Sequence, residues 1–204
     1  GGCIISKMKL LTPHKKAIEA VKSFINQGEF YLAGSTAVYY YLSHRQSIGL
    51  DFFTRKSIDF TRYKYLIHPY SVLFSSQDTI HAEVEKVKMS FFYYPYTLLR
   101  PLHQINGISI AHLEDILCMK INAIINRGSR KDFVDAYFIM RELSISPEEC
   151  IALFQAKYGA YNPLVIRKAM TYFVNADNDP ELRMLKQERW EEIKKFFIRT
   201  FAKL

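Results

Sequence analysis

Phe30-Tyr31-Leu32-Ala33-Gly34-Ser35-Thr36-Ala37, continuing through Ser43-His44-Arg45-Gln46-Ser47 to Gly49-Leu50-Asp51-Phe52-Phe53-Thr54, reads as strand, tight glycine turn, helix, polar loop and strand. Apolar and small residues lead into Gly34-Ser35, so the turn places backbone amides and a hydroxyl at the start of the next helix. Unpaired N–H groups and the helix dipole favour an anion there, and a phosphate suits the corner. The helix ends on two donors, His44 and Arg45, and the following strand brings one carboxylate, Asp51, among Leu50, Phe52 and Phe53.

On the N-terminal side, Thr12-Pro13 predicts a helix start, with Thr12 as N-cap, and Ile18, Val21, Phe24 and Ile25 carry that helix to Asn26 before Gln27-Gly28 stops it. On the other side, Ser57 to His68 predicts a helix ended by Pro69, and β-rich runs follow over Ser71 to Phe74, Thr79 to Glu85 and Val87 to Tyr94. In the second run Ile80, Ala82 and Val84 alternate with His81, Glu83 and Glu85, the period of a strand with one buried face. Phe91-Phe92-Tyr93-Tyr94 lacks alternation and reads as a strand covered on both faces that leaves the sheet at Pro95, and Gly107 to Ile110 reads as a last short strand.

From Ala111 the period changes. Leu113, Ile116, Leu117, Ile121 and Ile124 mark the buried face of a helix closed by Gly128, and Arg130 to Leu143 predicts another. Ser146-Pro147-Glu148-Glu149 combines an N-cap, a first-turn proline and a capping box. Asn162-Pro163 and Asp179-Pro180 read as two more helix starts, and Gln187 to Leu204 as an amphipathic helix with Trp190, Ile193, Phe197 and Phe201 on its apolar side. The expectation is an α+β fold: a mixed sheet with flanking helices over residues 1–110, then a helical domain over 111–204, with a cleft at their junction.

The composition is that of an ordinary globular chain, 49% hydrophobic and 24% charged over 204 residues. Twenty-eight Lys and Arg against 20 Asp and Glu leave a formal charge of +8, which attracts anionic partners such as nucleotides or nucleic acid or simply solvates the surface. No compact Lys/Arg run interleaved with aromatics supports a plain RNA-binding protein. Cys3, Cys118 and Cys150 are an odd, widely spaced set without a CxxC pair, which argues against a disulfide framework or a zinc cluster. No apolar run is long enough to span a bilayer, and Gly1-Gly2-Cys3-Ile4-Ile5 lacks the long apolar core of a secretory signal, so no membrane association and a cytoplasmic location are expected.

Leu32-Ala33-Gly34-Ser35-Thr36-Ala37, then His44-Arg45-x-Ser47-x-x-x-Asp51-Phe52-Phe53, and later Lys120, Arg127-Gly128 and Lys131-Asp132-Phe133-x-Asp135 together resemble the AbiEii-type nucleotidyltransferases, the toxin halves of certain toxin–antitoxin and phage-defence pairs. The resemblance runs from about Gly28 to Leu143 and implies a polymerase-β-like nucleotidyltransferase fold with a helical domain closing over the nucleotide. It further implies a Mg²⁺-dependent transfer of a nucleotide from an NTP to an RNA such as a tRNA end, or to a protein, and a cognate antitoxin. Gly34 and Ser35 would hold phosphates, Asp51 the metal and Lys120 the triphosphate, while His44, Arg45, Asp132 and Asp135 would belong to the nucleotide site.

In that family two aspartates one residue apart bind the metal, because Mg²⁺ takes carboxylate oxygens together with those of the triphosphate. Here Gly49 stands at the first of the two positions and leaves Asp51 alone. The alternative expectation is therefore a degenerate nucleotidyltransferase that binds a nucleotide or partner without turnover.

Each candidate also has a plainer reading. Gly34-Ser35 can be an ordinary capped turn, His44 and Arg45 cations at a helix C-terminus, and Asp51 an acid exposed on an edge strand or paired with Arg45. Lys120 can carry its ammonium to solvent, and Asp135 can pair with Lys131 on a solvated helix face. Glu83 and Glu85 are available as a third carboxylate, the next strand offers Lys88 and Ser90, and Tyr93, Tyr94 and Tyr96 can stack a base or simply pack.

Overall fold

The computed structural model describes residues 9–202, which cluster into two compact units. The first takes the described residues up to Tyr41, Ser47–Thr97 and Leu102–Ala111; the second takes Leu42–Gln46, Leu98–Pro101 and the described residues from His112 onward.

The first unit contains α1 (Thr12–Ala20), α2 (Lys22–Gln27), β1 (Tyr31–Ala33), α3 (Gly34–Leu42, its last residue in the second unit), β2 (Leu50–Thr54) and a short α4 (Phe60–Tyr63). After a 3₁₀ turn at Lys64–Ile67 come β3 (Ser71–Ser75), β4 (Thr79–Val84), β5 (Val87–Tyr93), β6 (His103–Ile105) and β7 (Ile108–Ile110). The seven strands form one mixed sheet in the order β3-β4-β5-β2-β1-β7-β6. β2 runs antiparallel to β1 and parallel to β5, and β1 runs parallel to β7.

Three hairpins, β3-β4, β4-β5 and β6-β7, build most of the antiparallel part. Glu85 and Lys86, with φ of 49° and 64°, turn β4 into β5, and Asn106-Gly107, with φ of 48° and 79°, turns β6 into β7. Consecutive residues at positive φ give the twist that matches two antiparallel strands. Asn-Gly is a hairpin signal, so β6 was legible in the sequence although the expectation began only at Gly107.

The sheet buries one face on an aromatic core. Phe24, Phe30, Phe52 and Phe91 are buried there, Phe24 meeting Phe91 at 4.7 Å between ring centres and Phe52 meeting Phe91 at 5.5 Å. The opposite face carries Asp51 and Phe53 on β2 and Ser90 and Phe92 on β5, all half-buried. Burial therefore alternates along β5, Phe91 inward and Phe92 outward, instead of both faces being sealed as the aromatic run suggested.

Three boundaries differ from expectation. The first helix breaks at Val21 into α1 and α2, and Leu11, not Thr12, precedes it as N-cap. The helix expected over Ser57 to His68 starts only at Phe60, behind Asp59, whose carboxylate accepts from the Thr61 N–H at 3.1 Å, and its second half is the 3₁₀ turn to Ile67.

The second unit is helical: α5 (Leu113–Asn126), α6 (Arg130–Leu143), α7 (Pro147–Tyr158), α8 (Pro163–Met170), α9 (Val174–Asp177) and α10 (Trp190–Phe201). Ser146 and Glu149 form the reciprocal capping box of α7. α10 buries Ile193, Phe197 and Phe201, and Phe197 packs on Phe133 of α6 at 5.5 Å. Asp179-Pro180 starts no helix. Asp179 instead accepts the N–H of Arg130 at 2.7 Å and so caps α6, where Ser129 makes no side-chain cap. Leu204, at the end of the expected last helix, and Cys3 lie outside the described residues.

Candidate active site

Gly34 opens α3 with φ +70°, and a Cβ built on it would lie 2.8 Å from Asp51 Oδ2 and 3.2 Å from Asp51 Cβ. An L side chain is disfavoured by the dihedral and would crowd the acid. The register explains the approach, since Ala33 on β1 stands opposite Asp51 on β2. The phosphate-favouring corner and the carboxylate are thus one place. β2 lies between β1 and β5, so Asp51 sits on an internal strand and not on the edge strand of the plainer reading.

The loop before β2 is fastened from two sides. Thr36 Oγ1 donates to the Gly49 carbonyl and lies 2.7 Å from Ser47 Oγ. His14 Nε2 is 3.0 Å from the Ile48 carbonyl and Nδ1 is 2.5 Å from the Tyr40 hydroxyl. A carbonyl can only accept, so Nε2 carries the proton and Nδ1 accepts from Tyr40. Burial lowers the pKa of His14 and holds it in that neutral form. Gly49 itself is not required by crowding: a Cβ there would meet only the Lys88 carbonyl, at an ordinary 3.5 Å.

Across the outer face, Asp51 stands beside Ser90 of β5, and Ser90 stands opposite His81 of β4. His81 Nδ1 is 3.0 Å from Ser90 Oγ, and its ring lies 5.7 Å from both Phe74 and Phe92. Sequence reasoning named Ser90 only as a polar group and His81 only as an outward residue. The strand order β4-β5-β2 that lines them up with Asp51 has no signature in local periodicity. Of the two candidate third carboxylates, Glu83 is exposed on β4, and Glu85 lies in the hairpin turn, where it accepts from the Tyr70 hydroxyl at 3.1 Å. Tyr94 and Tyr96 pack against each other at 4.7 Å, and Tyr94 also meets Phe53 at 5.4 Å.

Among the described residues no group of three or more His, Cys, Asp or Glu could hold a metal ion. The donor set at the corner fits a single magnesium delivered with a nucleotide, Asp51 adding one carboxylate to the triphosphate oxygens, and does not fit a metal held by the protein alone.

The other predicted residues meet inside the second unit. Asp135 on α6 is fully buried and accepts from His44 Nε2 at 2.8 Å, from Arg45 Nε at 2.7 Å and Nη2 at 2.9 Å, and from Lys120 Nζ at 2.7 Å. Lys120 also reaches Asp132 Oδ1 at 3.1 Å, and Asp132 accepts from Arg127 Nε at 2.8 Å and from Ser129 Oγ at 2.8 Å. Burial pushes the Asp135 carboxyl up, but Lys120, His44 and Arg45 outweigh it and hold it well below the carboxylate range. Burial likewise opposes the charge on Lys120, yet Asp135 and Asp132 raise its pKa. His44 goes down, first through burial and further through Arg45 and Lys120, against the pull of Asp135.

Several expectations are corrected by this network. Arg45 pairs with Asp135 and not with Asp51. Lys120 turns inward to two carboxylates, so its ammonium does not reach solvent. Asp132 and Asp135 are buried ion-pair centres, and Lys131 is exposed, so Asp135 does not pair with it on a solvated face. His44 and Arg45 lie in an extended segment, not a helix end. The Leu185 N–H donates to the His44 carbonyl at 2.9 Å, and the Gln46 N–H donates to the Arg183 carbonyl at 2.9 Å.

The fold is that of the nucleotidyltransferases. A Helicobacter pylori protein described as a candidate nucleotidyltransferase superposes with a TM-score of 0.59 at 17% identity, over 93% of this chain and 92% of its own. The nucleotidyltransferase toxin MenT4 of Mycobacterium tuberculosis superposes with a TM-score of 0.52 at 12% identity, over 96% and 91%. An uncharacterised protein of Aquifex aeolicus is 37% identical over 198 residues, 94% of this chain and 95% of that protein. The family model described as nucleotidyl transferase AbiEii toxin, type IV toxin–antitoxin system, matches residues 74–203. The chain belongs to that family. The match includes Lys120, Arg127, Asp132 and Asp135, while the Gly34 corner and Asp51 lie before it.

Proposed function

We propose that the chain transfers a nucleotide from an NTP to a hydroxyl of an RNA or protein acceptor, as the toxin of a pair with a cognate antitoxin. The observation that carries this reading is the close approach of Asp51 to the Gly34 backbone, too near to admit a Cβ, so that a helix N-terminus suited to phosphate lies against an acid on a central strand. The Gly34 and Ser35 amides and the Ser35 hydroxyl hold phosphate oxygens, and Asp51 supplies the carboxylate for a Mg²⁺ that arrives on the nucleotide. When bound, that ion offsets the charge developing on the transferring group. His44, Arg45, Lys120, Asp132 and Asp135 act by holding one another in place. Such a reaction belongs in the cytoplasm, and no described helix is long and apolar enough to cross a membrane.

The test is transfer of label from each of the four NTPs, with Mg²⁺, to total RNA and to protein. Transfer is expected with at least one acceptor and is lost in Asp51→Asn. No transfer to any acceptor, together with no NTP-induced rise in Tm, overturns the reading.

A second reading, a nucleotide-binding module without turnover, is favoured by Gly49, where room for a side chain exists and the second acid is missing. Under it, Gly49→Asp raises Mg²⁺-dependent nucleotide binding. An unchanged variant means the site lacks more than that ligand.

A further inference from the structure

Lys88 occupies a particular place beside Gly49. The parallel register Leu50 with Met89 and Asp51 with Ser90 runs back one residue to set Gly49 next to Lys88, whose carbonyl is the heavy atom a Cβ on Gly49 would meet. Lys88 is two residues before Ser90 on β5, so the period of the strand keeps it on the face that Ser90 shares with Asp51, and Gly49 lies just before β2 at the same end. Lys88 is exposed, while its neighbours Val87 and Met89 are buried. Its Cα lies diagonally from that of Asp51 by roughly 8 Å, two residues of rise combined with one interstrand spacing, a span a lysine side chain crosses. Its cross-strand neighbour on β4 is Glu83, yet no ion pair joins the two among the described residues. An aspartate at position 49 would stand next to the Lys88 backbone, within reach of the flexible lysine side chain. Glycine leaves both the space and the cation open.

We infer that Lys88 is a phosphate-binding residue of this chain, its ammonium passing over Gly49 to the triphosphate of an NTP seated on the Gly34 corner. The inference rests on the reading of that corner as a nucleotide site. Lys88 supplies from the protein a positive charge that a two-carboxylate site would recruit as a metal ion, so nucleotide binding is largely independent of divalent cations.

The experiment measures binding of ATP, GTP, CTP and UTP by calorimetry and by the shift in Tm, in EDTA and in Mg²⁺. The NTP that binds in Mg²⁺ is expected to bind in EDTA as well, to within about tenfold, one unit of charge-assisted stabilisation. Lys88→Met weakens binding in EDTA by roughly ten- to hundredfold, the loss of one hydrogen bond to a charged group, while Lys88→Arg retains it. Gly49→Asp, by pairing with Lys88, lowers binding in EDTA and makes binding Mg²⁺-dependent. Unliganded melting curves, expected to be unchanged for an exposed residue, show that Lys88→Met is folded. Binding by the unmodified protein only in Mg²⁺, or equal binding by Lys88→Met in EDTA, overturns the role of Lys88 and leaves the nucleotide site standing. No binding in either buffer overturns the nucleotide site and this inference with it.

Discussion

Gly34 and Asp135 set opposite kinds of constraint on single positions. At Gly34 the constraint is absence: a methyl group would enter the Asp51 carboxylate at 2.8 Å, on a backbone with φ +70°. Gly34→Ala is expected to cost about 1–2 kcal/mol from the left-handed conformation alone. It should also remove the NTP-induced rise in Tm, and the two effects separate in melts with and without nucleotide. At Asp135 the constraint is charge. Asp135→Asn leaves Lys120 and Arg45 buried with too little negative charge, at a cost of about 3–5 kcal/mol, measurable by urea denaturation.

The same cluster fixes a pH dependence. The folded-state pKa of His44 is depressed below 6.5, so the unfolded chain takes up the proton first; its contribution is complete above that value and is lost as pH falls below it. The pKa of Asp135 is depressed too, so its contribution is lost only on acidification below the ordinary 3.8. Stability should therefore fall in two stages from pH 7.5 downward. His44→Gln, which keeps a donor toward Asp135, should abolish the first stage in urea melts compared at pH 7.5 and 5.5.

At the level of elements, caps and turns were the most legible features, because each closes within a few residues. The Ser146-to-Glu149 box formed as its spacing requires, with the Glu149 N–H donating to Ser146 Oγ at 3.2 Å and the Ser146 N–H to Glu149 Oε2 at 2.8 Å. Ser146→Ala is expected to cost about 1 kcal/mol in chemical denaturation. Asp179-Pro180 misled because a capping aspartate looks the same in sequence whether it caps its own helix or another. Here it serves α6, 49 residues earlier. The run Phe91 to Tyr94 misled because an aromatic ring packs on either face of a sheet, so residue type no longer reports orientation.

Over the whole molecule, the formal charge of +8 gives the acceptor proposal a measurable form. If RNA is the acceptor, its affinity should fall by about tenfold or more between 50 and 200 mM salt as counterions compete for the phosphates, which fluorescence anisotropy would show. The same measurement with a protein acceptor need not show so steep a fall.

The sequence by itself determined the α+β class, most elements, the Gly-Ser corner, the solitary Asp51 and the family, since periodicity, capping and motif spacing are local properties of the chain. Only the tertiary structure decided which charges meet. Asp135 takes its partners from His44 and Arg45, 91 and 90 residues away, because a buried carboxylate requires compensating donors and the fold alone brings them near. Only the sheet order set Asp51 beside Ser90 and extended that register to place Gly49 beside Lys88, because strand pairing is chosen by the packing of a whole face and leaves no mark in any one strand.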